Sequence, residues 1–259
     1  VNYNWNWSIF FEQAPTGGTY LQGLAMGFAW TIGTAALSWM LALAMGTLVG
    51  VARTTGLRWV RLLGTAYVEF FRNIPLLVQM FLWYFVVPEI LPTALGDAIK
   101  QIVPPWGIFV PAVLCLGFYT SSRVAEQVRA GIESLPRGQS MAATALGMEP
   151  AQVYRYVLLP TSFRIILPPL VSELLNLIKN TSVAFTIGLL ELVGAARSIQ
   201  EFSFQVFEAF TAATLFYLIL NLIVLRVMLR IETRVAVPGF SGPSRAAKKT
   251  KAIGEVATA

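Results

Sequence analysis

Between Glu12 and Arg53 the chain carries no Asp, Glu, Lys or Arg. A bilayer core needs ~20 apolar residues to be crossed by a helix, and a longer run crosses it tilted. The segment from Leu21 to Ala52 therefore reads as a first membrane span. The whole chain follows suit: of its 259 residues 56% are hydrophobic and 12% are charged, far from the balance of a soluble domain. The fold class expected is all-α, a polytopic membrane protein with five transmembrane helices.

Span two is expected from Trp59 to Leu91, with its uncharged part after Arg72 and a kink at Asn73-Ile74-Pro75. Span three runs from Trp106 to Ile132, and span five from Ala209 to Arg230. Span four, Thr161 to Leu190, is expected to break at Pro168-Pro169. It also carries Glu173, Asn176, Lys179 and Asn180, followed by Thr181 and Ser182. Lipid does not tolerate such groups, so this span must face protein or a water-filled path.

Charge sets the expected orientation. Arg53, Arg58, Arg61 and Arg72 follow span one, Arg137, Arg155 and Arg164 flank the loop after span three, and seven Lys and Arg lie from Arg226 onward. The other loops hold Glu12, Glu89, Asp97, Glu191, Glu201 and Glu208 against Lys100 and Arg197. The positive-inside rule then puts the N-terminus outside and the C-terminus inside. It also explains the net charge of +6 without nucleic acid. Residues 1–20 form an extracytoplasmic segment in this reading, 21–236 the transmembrane domain, and 237–259 a disordered basic cytoplasmic tail. No Lys or Arg precedes the first apolar run, so a cleaved secretory signal is not expected.

Chemistry is narrowly bounded. The chain has no His and a single Cys115, which excludes an intrachain disulfide and a Cys-cluster metal site and argues against hydrolytic catalysis. No GxxxxGK[ST] phosphate loop occurs. In span one Gly23 and Gly27, then Gly46 and Gly50, have the small-xxx-small spacing that lets helices approach closely. Arg123 and Glu126 share a helical face with Arg129, and the last two can neutralise each other. Arg123 follows the small polar run Thr120-Ser121-Ser122, which favours a solute-facing role.

The loop GQSMAATALGMEPAQVYRYVLLP, Gly138 to Pro160, resembles the cytoplasmic coupling loop of ABC importer permeases, E-A-A, three residues, G, nine residues, I-x-L-P. Met141-Ala142-Ala143, Gly147, Val157 and Leu159-Pro160 keep the spacing, with Met141 in place of Glu and Val157 in place of Ile. A short helix with Ala142 and Ala143 can seat in a groove on another protein, and Gly147 can turn the chain away. FRNIPLLVQM ending at Met80, RVAEQVRAG within Phe118 to Gly131, and SELLNLIKNTSVAFTIG from Ser172 to Gly188 are similar to the polar amino acid branch. Together with FLWYFVVPEILP and EQVRAGIESLPRGQ, they most resemble glutamate/aspartate permease subunits.

This resemblance implies a type I importer permease core whose coupling loop, 136–160, meets a cytoplasmic ABC ATPase dimer. It further implies a second permease chain, homologous or identical, an extracytoplasmic solute-binding protein, and a place in a bacterial inner membrane. ATP would be bound by the partner ATPases, and this chain would hold no cofactor or metal. Gly138, Met141, Ala142, Ala143, Gly147, Leu159 and Pro160 are the expected coupling residues. An acidic amino acid needs one more cation than a neutral one, so Arg72, Arg123 and Lys179 join Glu173, Asn176, Asn180 and Thr181 as candidates for the substrate path. The same transporter class acting on glutamine or another polar amino acid stays open. So does an ion-coupled secondary transporter using Glu173 and Lys179.

Overall fold

A computed structural model of the chain describes residues 3–15 and 17–235; the expected basic tail, 237–259, lies outside the described residues. Helix α1, Tyr20–Thr54, starts at a capping box in which the Thr19 hydroxyl accepts from Gln22 N–H while the Gln22 side chain accepts from Thr19 N–H. Its 35 residues reach about 52 Å, well beyond a ~30 Å bilayer core. Next come α2, Arg58–Asn73, and α3, Leu76–Ile90. Then follow α4, Thr93–Lys100, and α5, Trp106–Glu133. The rest comprises α6, Arg137–Ala145, α7, Pro150–Ile187, α8, Leu192–Ser203, and α9, Val206–Val235.

Four of these, α1, α5, α7 and α9, are long and apolar enough to cross a membrane. The fifth expected crossing, span two, breaks at the expected kink, Asn73-Ile74-Pro75, and more sharply than a kink. The residues of span two form a pair, α2 and α3, bent by 103°. Pro75 offers no N–H, and Ile74 before it is extended at φ −97°, ψ 129°, so the helix stops there. The strongly amphipathic α2, with Arg58, Arg61, Glu69 and Arg72, is unsuited to lipid and turns aside from the apolar α3.

One expectation fails: Pro168 and Pro169 do not break span four, and α7 runs through both as α-helix. Ser162, Ile166, Leu170 and Val171 are buried on this stretch, and Gly131 of α5 leaves room for Ile166. Packing on that face holds the course of the helix despite two missing donors. The irregularities sit elsewhere. Each of two π turns, Leu82–Val86 in α3 and Tyr154–Leu158 in α7, is closed by an N–H reaching five residues back, Val87 to Leu82 and Leu159 to Tyr154. In both cases the next residue is proline, Pro88 or Pro160, which cannot donate. Helix α7 then tightens to a 3-10 helix over Thr181–Ile187, ended by Gly188 at φ +93°.

Packing centres on α1 against α5. A Cβ on Gly46 would stand 2.6 Å from Val124, and one on Gly50 would stand 2.7 Å from Val128. Gly27 likewise lies against the Glu191 carbonyl, whereas a Cβ on Gly23 would meet nothing within 4 Å. The close approach expected of the first glycine pair is therefore made by one member only. At the start of α9, Tyr3 donates to Gln205 and Glu208, and Asn6 N–H donates to Glu208 Oε1 at 2.8 Å. Phe28 of α1 meets Phe216 of α9, so the two helices descend together. Tyr3 and Val235 thus lie at opposite ends of the bundle.

Candidate functional site

At the end of the bundle where α1 terminates, α6 packs on the start of α7, and its Ala143 joins Ile132 of α5 in one apolar cluster. Its C-terminus is a Schellman turn: Met148 N–H donates to the Ala143 carbonyl at 3.2 Å and Gly147 N–H to that of Thr144 at 2.9 Å. Gly147, at φ +83°, supplies the left-handed residue the turn requires. Gly138, Met141, Ala142, Ala145 and Leu146 are exposed, with Leu146 at 82%. Ala143 does not share their face. It is buried among Leu135, Val153 and Leu158, so its small side chain serves the chain's own core rather than an outward contact. Leu159 packs on the same cluster, and Pro160 is exposed beside it.

One turn inward, a carboxylate gathers three guanidinium groups. Glu126 of α5 meets Arg53 of α1 at 2.8 Å, Arg129 at 3.0 Å and Arg72, at the end of α2, at 3.5 Å. Arg129 also pairs with Glu133. The expected neutralisation of Glu126 by Arg129 is present, with Arg53 and Arg72 added to it. Arg53 was not singled out in the sequence, yet its side chain is only 9% exposed. Its signal was its place as the first charge after forty uncharged residues, where a helix end meets the membrane edge.

Deeper in the bundle Arg123 donates to Tyr119 Oη at 2.7 Å and lies over that ring at 5.0 Å. Its Nη1 is 3.9 Å from Glu173 of α7, a loose pair that leaves 42% of the Arg123 side chain accessible. Glu173, Asn176 and Asn180 follow one another at helical spacing and are half-buried, while Lys179 is exposed. Arg123 and Glu173 are thus brought together from two helices. Arg72 joins Glu126 instead, and Thr181 is buried, donating to the Ile178 carbonyl at 2.7 Å and standing 3.3 Å from Tyr217 Oη.

Two further polar groups hold the frame. Gln79, 2% exposed, donates to the Phe71 and Ile74 carbonyls at 2.7 and 2.9 Å and so splints the elbow between α2 and α3. It is the one amide in the apolar part of FRNIPLLVQM, which marks it in the sequence. Glu191, fully buried, caps α8 by accepting from Gly194 N–H, Val193 N–H and Tyr217 Oη. Burial pushes its carboxyl above the usual range, against the pull of those three donors.

Residues 42–237 match the family of binding-protein-dependent transport system inner membrane components. The chain belongs to that family. This permease is 46% identical over 244 residues to the glutamate/aspartate import permease protein GltJ of Escherichia coli K12, a match covering 93% of this chain and 99% of GltJ. It is 34% identical over 196 residues to the probable glutamine ABC transporter permease protein GlnM of Bacillus subtilis, covering 76% and 85% of the two chains. Among solved structures, an amino acid ABC transporter crystallised with histidines superposes with a TM-score of 0.70 at 27% identity, covering 83% of this permease and 95% of that chain. The inward-facing MetNI methionine transporter shares the fold, with a TM-score of 0.70 at 18% identity over 84% and 98% of the chains. The permease is therefore a membrane component of an ABC importer with an all-helical core.

Proposed function

We propose that this permease imports acidic amino acids, glutamate and aspartate, in a complex with two cytoplasmic ATPases, a second permease chain and an extracytoplasmic binding protein. The observation that carries the reading is the likeness to GltJ over nearly the whole of both chains. It is joined by a cation, Arg123, held loosely enough to be shared with a solute carboxylate. Glu173 beside it suits the substrate ammonium, and Asn176, Lys179 and Asn180 extend the polar face.

In this reading Gly138, Met141, Ala142 and Leu146 present α6 to the ATPase, which supplies all hydrolysis, and Ala143, Gly147, Leu159 and Pro160 shape the loop behind that face. The loop faces the cytoplasm, as does the end of α9, while residues 3–15 lie outside, in keeping with the distribution of Lys and Arg.

Uptake of labelled glutamate by proteoliposomes holding the whole complex, challenged with aspartate, glutamine, arginine and histidine, tests the substrate. Aspartate alone should compete. Competition by glutamine as strong as by aspartate would replace the acidic assignment with a broader or neutral one.

A further inference from the structure

The end of α1 is closed by groups from two places in the chain. Thr54 Oγ1 donates to the Val51 carbonyl at 2.8 Å, and Thr55 Oγ1 donates to that of Ala52 at 2.8 Å. The Thr54 carbonyl is satisfied by a residue a hundred positions away, Tyr154, whose hydroxyl donates to it at 3.0 Å and lies 3.1 Å from Thr54 Oγ1. An orphan carbonyl at a helix end is thus capped by the segment that links α6 to the long part of α7.

Two features make this more than a packing contact. Tyr154 opens the π turn Tyr154–Leu158. A π turn holds one residue more than α-helix does, so its conversion to α rotates what precedes it by about 100° about the helix axis. Such a rotation cannot preserve the Tyr154 contact. On the other side, Thr54 adjoins Arg53, which meets Glu126 at 2.8 Å, and Glu126 in turn meets Arg72 at the elbow of α2 and α3. Contacts therefore run without a gap from the loop after α6 to that elbow. Arg123 lies three residues before Glu126 on α5.

We propose that Tyr154 is a positioning residue of ATP-driven transport. Its hydroxyl holds the coupling loop to α1 in this arrangement and lets go when the π turn converts, so that loop motion acts on α1 and the Arg53–Glu126–Arg72 cluster as well as on α7. This rests on the reading above that an ATPase docks on α6. In this proposal the π turn is the element that takes the two arrangements such coupling requires.

Tyr154→Phe removes one oxygen and keeps the ring. In the reconstituted full complex it should leave the yield of assembled complex and ATP hydrolysis at wild-type levels, while glutamate imported per ATP hydrolysed falls about threefold to tenfold, the range set by one part-buried hydrogen bond. Thr54→Val, which keeps the carbonyl, should have a smaller effect and add little to Tyr154→Phe. Independently, Thr54→Cys with Tyr154→Cys joined by a short thiol crosslinker should arrest uptake until the link is cleaved. Unchanged import per ATP in Tyr154→Phe overturns the proposal, as does a loss of uptake that only follows a loss of complex, or full uptake by the crosslinked pair. Uptake that needs no ATP would remove the importer reading itself. Normal coupling in Tyr154→Phe, in a complex that substitutions on α6 do uncouple, removes this inference alone.

Discussion

Lys179 stands exposed on α7, six residues beyond Glu173, with no part in the buried packing that fixes Leu177 and Ile178 beside it. Lys179→Ala should therefore leave the amount of assembled complex unchanged while lowering glutamate uptake about tenfold, the loss of one charge-assisted contact to a carboxylate. Uptake and complex yield measured on the same preparation check this, and a matched fall in both would assign the lysine to structure. Gly46 predicts the reverse. Its Cβ would lie 2.6 Å from Val124 and 2.8 Å from the Ser121 carbonyl, so Gly46→Leu must push α1 off α5, at a cost of about 3 kcal/mol or more. The expected readout is a lower melting temperature of the detergent-solubilised complex. At this scale the sequence was legible where chemistry is costly to place: Glu173 and Arg123 in an apolar chain announce themselves. It did not show which partners Arg53, Glu191 and Tyr217 meet, because those partners lie on different helices of the chain.

Helix α6 has an outer and an inner side, and the two adjacent alanines fall on different ones. Ala142→Glu adds a charge to the exposed face and should uncouple ATP hydrolysis from uptake in a complex of normal abundance. Ala143→Glu buries a carboxylate among Leu135, Val153 and Leu158 and should instead deplete the folded chain, since an unpaired buried charge costs several kcal/mol. Complex yield and uptake per ATP, compared for the pair, separate the two outcomes. The loop motif located α6, but not which alanine faces outward; the Schellman turn at Gly147 and the packing of Val153 decide that. Prolines illustrate the same limit. Pro75, Pro88 and Pro160 each leave a mark, a bend or a π turn, while Pro168 and Pro169 leave none because buried neighbours hold the helix through them.

For the molecule as a whole, hydropathy and Gly spacing foretold a bundle built on long spans with α1 closely packed, but not that its partner is α5. The kink at Asn73-Ile74-Pro75 was legible too, but not its size, since the 103° turn depends on α2 being amphipathic and on Gln79 splinting the elbow. The bundle has one end with α6, the π turn and the Arg53–Glu126 cluster, and another with the N-terminal segment folded over α9. A polar face on α7 and α5 lies between. That layout suits a machine in which force applied at one end alters access to groups in the middle. The most direct test records glutamate uptake and ATP hydrolysis together in proteoliposomes holding the full complex, with wild-type permease and with Ala142→Glu. The account predicts glutamate accumulation that requires ATP in the wild type, and hydrolysis without accumulation in the variant. Accumulation without ATP, or transport by Ala142→Glu at the wild-type yield per ATP, would contradict it.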